Sequence, residues 1–202
     1  YLSLMEDGSN QMANNKITIN RAAVLTLWAA VVAERLGHSK PEALTLGRAV
    51  SGLNAQSKGR RIGIYAEKTE EEKEKEKKAA KAANPVRTAA PAVTPGRDGL
   101  PTVAILGRSV PVVKTPHGLR AAVKGEPIDP DSVETYLEQK FGDRLDDSRA
   151  ALEYLAKAYT PRELEVRAYE LYEKFRPEIP EGKKGWGAKG ELDLDYVRSL
   201  GK

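Results

Sequence analysis

From Arg21 to Leu36 the chain reads RAAVLTLWAAVVAERL, and its apolar residues fall on every side of a helical wheel instead of forming one stripe. A helix of that kind has to be surrounded. Asn20, after Ile17, Thr18 and Ile19, is a natural N-cap, and Gly37 supplies the stop. Ser39 and Glu42 have capping-box spacing and start a second helix, with Ala43, Leu46, Val50 and Leu53 on one side. The pair reads as a helical hairpin with a short turn. Gly47 and Gly52 each cost about 1 kcal/mol relative to Ala inside a helix, which makes sense if another helix approaches closely there. The Ala-rich surface of the first helix is the expected neighbour.

Residues 67–99 then lose large apolar side chains altogether. A run of Glu and Lys, with pairs such as Glu71/Lys75 and Glu74/Lys78 spaced for a solvated helix, gives way to an Ala/Pro/Thr stretch that reads as extended linker. Beyond it, the runs 103–106 and 109–113 flank Gly107 and Arg108, a Gly-X turn suited to a type II′ hairpin, with Pro111 expected to confine its strand to an edge. Thr115 and Pro116 are positioned to open a short helix through Val123, closed by Gly125. Three stronger helices follow, with Asp129-Pro130, Asp143 and Thr160-Pro161 near their starts and apolar positions at helical spacing. Thr160 and Glu163 repeat the capping-box device, and Pro177 and Pro180 end the last helix.

The pattern therefore predicts a mainly α fold, a helical bundle with one small β-hairpin and a charged, Ala/Pro-rich linker. Its expected parts are a floppy leader at 1–15, an N-terminal helical hairpin at 16–65, the linker at 66–99, and a hairpin plus three-helix region at 100–202 that shares a core with 16–65. A homodimer in which the first hairpin pairs with its copy would bury the same apolar surface.

Charge is distributed unevenly along the 202 residues: residues 1–125 carry a net +9, residues 126–181 a net −7 and residues 182–202 a net +2. A basic front joined to an acidic helical part fits either an anionic partner or attraction between the two parts. There is no cysteine, so disulfide frameworks, thiolate chemistry and zinc-finger spacings do not arise. The longest apolar run, Ala22–Ala33, falls well short of the roughly 20 residues of a membrane span. The opening residues lack the pattern of a secretory signal.

Candidate chemistry is sparse. Gly185, Gly187 and Gly190 match G-x-G-x-x-G letter for letter, but the strand–loop–helix context that dinucleotide binding needs is missing. In the same loop Lys183, Lys184 and Lys189 offer phosphate contacts and Trp186 a stacking surface; a Trp186 that plugs an apolar gap is the plainer explanation. Lys58, Arg60 and Arg61 at the end of the second helix suit phosphate, although basic residues there also answer the helix dipole. Arg108, Lys114, Arg120 and Lys124 occur in a stretch without an acid, the composition of a basic β-wing. The hairpin has the small and apolar positions of a helix-turn-helix reader, but His38 stands where an apolar turn residue belongs and its first helix is too apolar to lie partly in solvent. The two histidines lack ligand spacing to other metal donors, and no Ser/His/Asp order or phosphate loop is visible. The sequence names no catalytic residue, cofactor or metal.

The segments LTLWAAVVAERLG, EALTLGRAVSGLNAQSKG and GWGAKGELDLD resemble a group of small conserved bacterial proteins that carry no assigned activity. The resemblance reaches both ends and the 103–141 region. It implies a bacterial, cytoplasmic protein whose two flanks form one folded unit, and it lends no catalytic residues. The function expected is that of a non-enzymatic binding protein that contacts nucleic acid through its basic segments; the alternative is a protein–protein adaptor or homodimeric helical scaffold whose acidic C-terminal helices receive a helical or basic partner.

Overall fold

A computed structural model describes residues 15–61, 93–95, 101–182 and 188–201, with only the backbone of 56–61 and 95. The leader up to residue 14, nearly all of the linker, and Lys183, Lys184 and Trp186 lie outside the described residues. The elements in chain order are β1 (Lys16–Asn20), α1 (Arg21–Arg35), α2 (Lys40–Arg61), β2 (Thr94–Pro95), β3 (Pro101–Ile105), β4 (Arg108–Thr115), β5 (Gly118–Val123), β6 (Glu126–Pro127), α3 (Pro130–Phe141), α4 (Leu145–Lys157), α5 (Pro161–Phe175), β7 (Lys189–Asp193) and α6 (Leu194–Ser199), with a 3-10 turn at Gly142–Arg144. Two antiparallel sheets, β1-β7 and β2-β3-β4-β5-β6, make the fold mixed α/β. The expectation of a mainly helical bundle with one hairpin is thereby corrected.

α1 is buried on every face, from Ala23 to Ala33, as its continuous apolar pattern requires. It contacts α2, α3, α4, α5, β1 and β3 of its own chain. Asn20 caps it, its side chain accepting from the Ala23 N–H at 3.0 Å. Trp28 is fully buried; its Nε1–H donates to the Ala168 carbonyl at 2.9 Å, and its ring meets Phe175 edge-on at 5.4 Å. The hydrogen bond is what allows an indole N–H inside the core. α2 packs antiparallel to α1, and Gly47 marks the closest approach: a Cβ there would fall on the Thr26 carbonyl oxygen and on Ala30. Gly52, expected to serve the same purpose, faces open space.

The sheet corrects three further expectations. The β3–β4 loop is Leu106-Gly107, with φ of 50° and 74°, so two positive φ values give the type I′ pattern one residue earlier than the Gly-X reading. Leu106 accepts that unfavourable backbone because its side chain is buried. Pro111 lies on a central strand; the β4–β5 ladder starts one residue later, at Val112 and Ala121, so its missing N–H interrupts no pair. Gly118–Val123 is strand, not helix: Thr115 pairs with Gly118 across the loop Pro116-His117, and Lys124-Gly125 makes the next tight turn with positive φ at both residues.

α2 packs against β5, on the stretch before β6 joins it at Ala122 and Val123. Thr45 is fully buried there; its hydroxyl donates to the Glu42 carbonyl at 2.8 Å and accepts the Ala121 N–H at 3.0 Å. One side chain thus satisfies the Ala121 N–H, while the Ala121 carbonyl accepts from the Ile128 N–H at 2.8 Å. The C-terminal helices follow their predicted starts: Asp129 caps α3, and Thr160 with Glu163 forms a complete capping box on α5. β7 and α6 return the chain to β1, Asn20 opposite Lys189 in register, and Leu192, Leu194 and Val197 join the same hydrophobic cluster as α1. No helix among the described residues is long and apolar enough to cross a membrane.

Candidate functional site: a basic end

Because α1 and α2 are antiparallel, the start of α1 and the latter part of α2 share one end of the molecule, tied by the Ser51 hydroxyl donating to the Ala22 carbonyl at 3.3 Å. Asn54, one turn further along α2, gathers two other elements. Its side-chain oxygen accepts from Arg108 Nη2 at 3.4 Å, at the head of β4, and from the Tyr169 hydroxyl of α5 at 3.3 Å. Tyr169 packs on Tyr172, whose hydroxyl reaches the Arg21 carbonyl at 3.4 Å. Arg21 donates through Nε to the Pro177 carbonyl at 2.6 Å, next to Arg176. Lys189 faces Asn20 across the β1–β7 pair.

Arg21, Arg108, Arg176 and Lys189 are consequently assembled around one scaffold of Asn54, Tyr169, Tyr172 and Pro177. Lys124 closes β5 at the sheet end shared with the β3–β4 loop, since β5 runs antiparallel to β4. The last two turns of α2, which carry Lys58, Arg60 and Arg61, continue past Asn54 from this same end. Among the described residues none of Arg21, Arg108, Arg176, Lys124 and Lys189 has a carboxylate at ion-pair distance, whereas Arg144, Arg149 and Arg198 elsewhere are each paired with Asp147, Glu134 and Asp195. Arg21 uses a main-chain carbonyl and Arg108 an amide instead, and those leave the positive charge uncompensated.

The field is visible at Tyr172. Burial raises its phenol to about 12, more than Arg176 and Arg21 pull it down, with Tyr169 adding to the rise. The hydroxyl stays neutral and serves as a donor that positions the start of α1.

Arg120 and Lys114 stand apart. Arg120 is 8% exposed, with Nη1 donating to the Leu119 carbonyl at 2.8 Å and Nη2 to the His117 carbonyl at 3.3 Å, so it holds the β4–β5 loop together from inside. Lys114 is exposed near that same loop, at the opposite end of the sheet from Arg108. The run from Arg108 to Lys124 is thus not one basic face: strand alternation and chain reversal divide it. Arg21 and Arg176 were missed from sequence because neither belongs to a net-basic run, Arg176 standing among acidic residues, and only the packing of α5 against α1 unites them. Among the described residues no group of three or more His, Asp or Glu is placed to hold a metal. No family model, curated protein or solved structure matches this chain.

Proposed function

We propose that the protein is a non-enzymatic binding protein that takes the phosphate backbone of a nucleic acid on its basic end. The observation that carries this reading is the assembly of Arg21, Arg108, Arg176 and Lys189 from four distant segments onto one scaffold, without a carboxylate partner among the described residues. Phosphate contacts from such a set neutralise backbone charge and release counterions, which gives affinity without sequence preference. Arg108 supports the reading further, because among the described residues only one of its five N–H donors is engaged and the rest remain for an oxyanion fork. In sequence, Lys58, Arg60 and Arg61 follow Asn54 within seven residues, and Lys183, Lys184 and Trp186 precede Lys189 within six. Such a protein belongs in the bacterial cytoplasm that the sequence resemblance implies.

Fluorescence anisotropy with a labelled single strand and a labelled duplex, across a salt series, tests the proposal. The expected result is binding at low salt that weakens steeply as salt rises, with Arg108→Gln and Arg176→Gln each reducing the log–log salt slope by about 1. No binding of either oligonucleotide at low salt refutes it.

A further inference from the structure

At the basic end the acceptor that holds Arg108 is an amide, where arginines elsewhere in the chain meet a carboxylate. Arg144, Arg149 and Arg198 are paired with Asp147, Glu134 and Asp195 at 3.2, 3.0 and 3.5 Å. Half-buried Arg108 instead donates through Nη2 to Asn54 Oδ1 at 3.4 Å, and the same oxygen accepts from the Tyr169 hydroxyl at 3.3 Å. A guanidinium can only donate, so the amide turns its oxygen toward Arg108 and keeps its NH2 on the other arm. We infer, resting on the nucleic-acid reading above, that Asn54 is a positioning residue for phosphate: it holds the Arg108 guanidinium in place and leaves its charge to the bound backbone.

Comparison with Asp, which has the same shape, isolates what the amide does. A carboxylate at position 54 would hold both donors more firmly, since hydrogen bonds to an ionised acceptor are about twice as strong as neutral ones. A role confined to tying α2, β4 and α5 together is therefore served better by Asp than by Asn. Helix propensity does not choose between them, because both are poor inside a helix. Nor does the helix dipole: Asn54 lies about two turns before the end of α2 at Arg61, outside the last turn in which the dipole acts. What separates the two side chains is charge. Asp would neutralise Arg108 and present a negative oxygen where a phosphate has to approach, whereas the amide keeps the full cation and adds two N–H donors beside it.

The test compares the full chain with Asn54→Asp, Arg108→Gln and the double variant, by anisotropy with a labelled single strand and a labelled duplex across a salt series, and by urea denaturation. Asn54→Asp should match or exceed wild-type stability, bind about tenfold more weakly at low salt, and lower the log–log salt slope by about 1, as one phosphate contact is lost. In the Arg108→Gln background the same substitution should lower the slope no further, because the contact it disables is already gone. Wild-type affinity and slope in Asn54→Asp overturn the inference and leave the nucleic-acid reading standing. So does an equal fall in slope in both backgrounds, which marks a general effect of added charge. A loss of affinity matched by a loss of stability makes Asn54 a structural tie only and overturns the inference as well. A wild-type chain that binds neither oligonucleotide overturns both readings.

Discussion

Gly47 and Gly52 lie on the same helix, five residues apart in sequence, yet Ala at the two positions should change stability in opposite directions. Each substitution gains about 1 kcal/mol of helix propensity, partly by reducing the freedom of the unfolded chain, and that part is common to both. At Gly52 an added Cβ meets nothing within 4 Å, so the gain survives as about 0.5–1 kcal/mol. At Gly47 it falls on the Thr26 carbonyl oxygen and lies 3.0 Å from the Ala30 nitrogen and 3.2 Å from the Ala30 Cβ. Those atoms belong to a buried helix backbone that cannot swing aside, and overpacking of this kind costs about 1–3 kcal/mol, at the upper end when backbone is struck. The net expectation is a loss of about 1–2 kcal/mol for Gly47→Ala and a gap of about 2–3 kcal/mol between the variants. Urea denaturation followed by circular dichroism, with the slope held common, reads the gap directly. Equal stabilisation by both substitutions would refute the close crossing of α1 and α2.

Replacing Thr45 by Val keeps the shape but orphans the buried Ala121 N–H, and equilibrium unfolding should register a loss of about 1–3 kcal/mol. Tyr172 governs alkaline stability: its folded value of about 12 lies above the ordinary 10.0, so its contribution is complete below the ordinary value and is lost as pH rises through the folded one. That contribution is about 2–3 kcal/mol, and Tyr172→Phe should flatten the fall in melting temperature across this window. Glu34 is raised in the same sense, so Glu34→Gln should raise the melting temperature slightly at about pH 7 and leave it unchanged at about pH 3. Arg120→Met should lower thermal stability through the loosened β4–β5 loop while leaving oligonucleotide affinity intact, the reverse of Arg108→Gln.

Helices were legible from sequence because their signals are local. The apolar circumference of α1, the caps at Asn20, Asp129 and Thr160, and the Gly47 contact can all be read within a few residues of themselves. Strands were less so. Gly118–Val123 has no clean alternation, since Arg120 and Ala122 on the outward face of the sheet are buried as well. β7 and α6 hide behind a glycine-rich loop whose motif draws the eye to phosphate, although Leu192, Leu194 and Val197 with Asp193 as a cap carry enough signal for a strand running into a helix. The basic segments were visible as composition, but which of them meet was not. Arg108 and Arg120 lie 12 positions apart in one acid-free run, and the strand reversal sends one to the basic end and the other back onto the β4–β5 loop.

The central claim, that one end of the molecule gathers its uncompensated cations for a phosphate backbone, is tested most directly by mapping amide shifts as a short single strand is added at low salt. The account predicts that the largest changes cluster at Arg21, Arg108, Lys124, Arg176 and Lys189, with the Lys114–Arg120 end of the sheet and the exposed faces of α3 and α4 undisturbed. Changes centred on the Lys114–Arg120 end, or no saturable change anywhere, would contradict it.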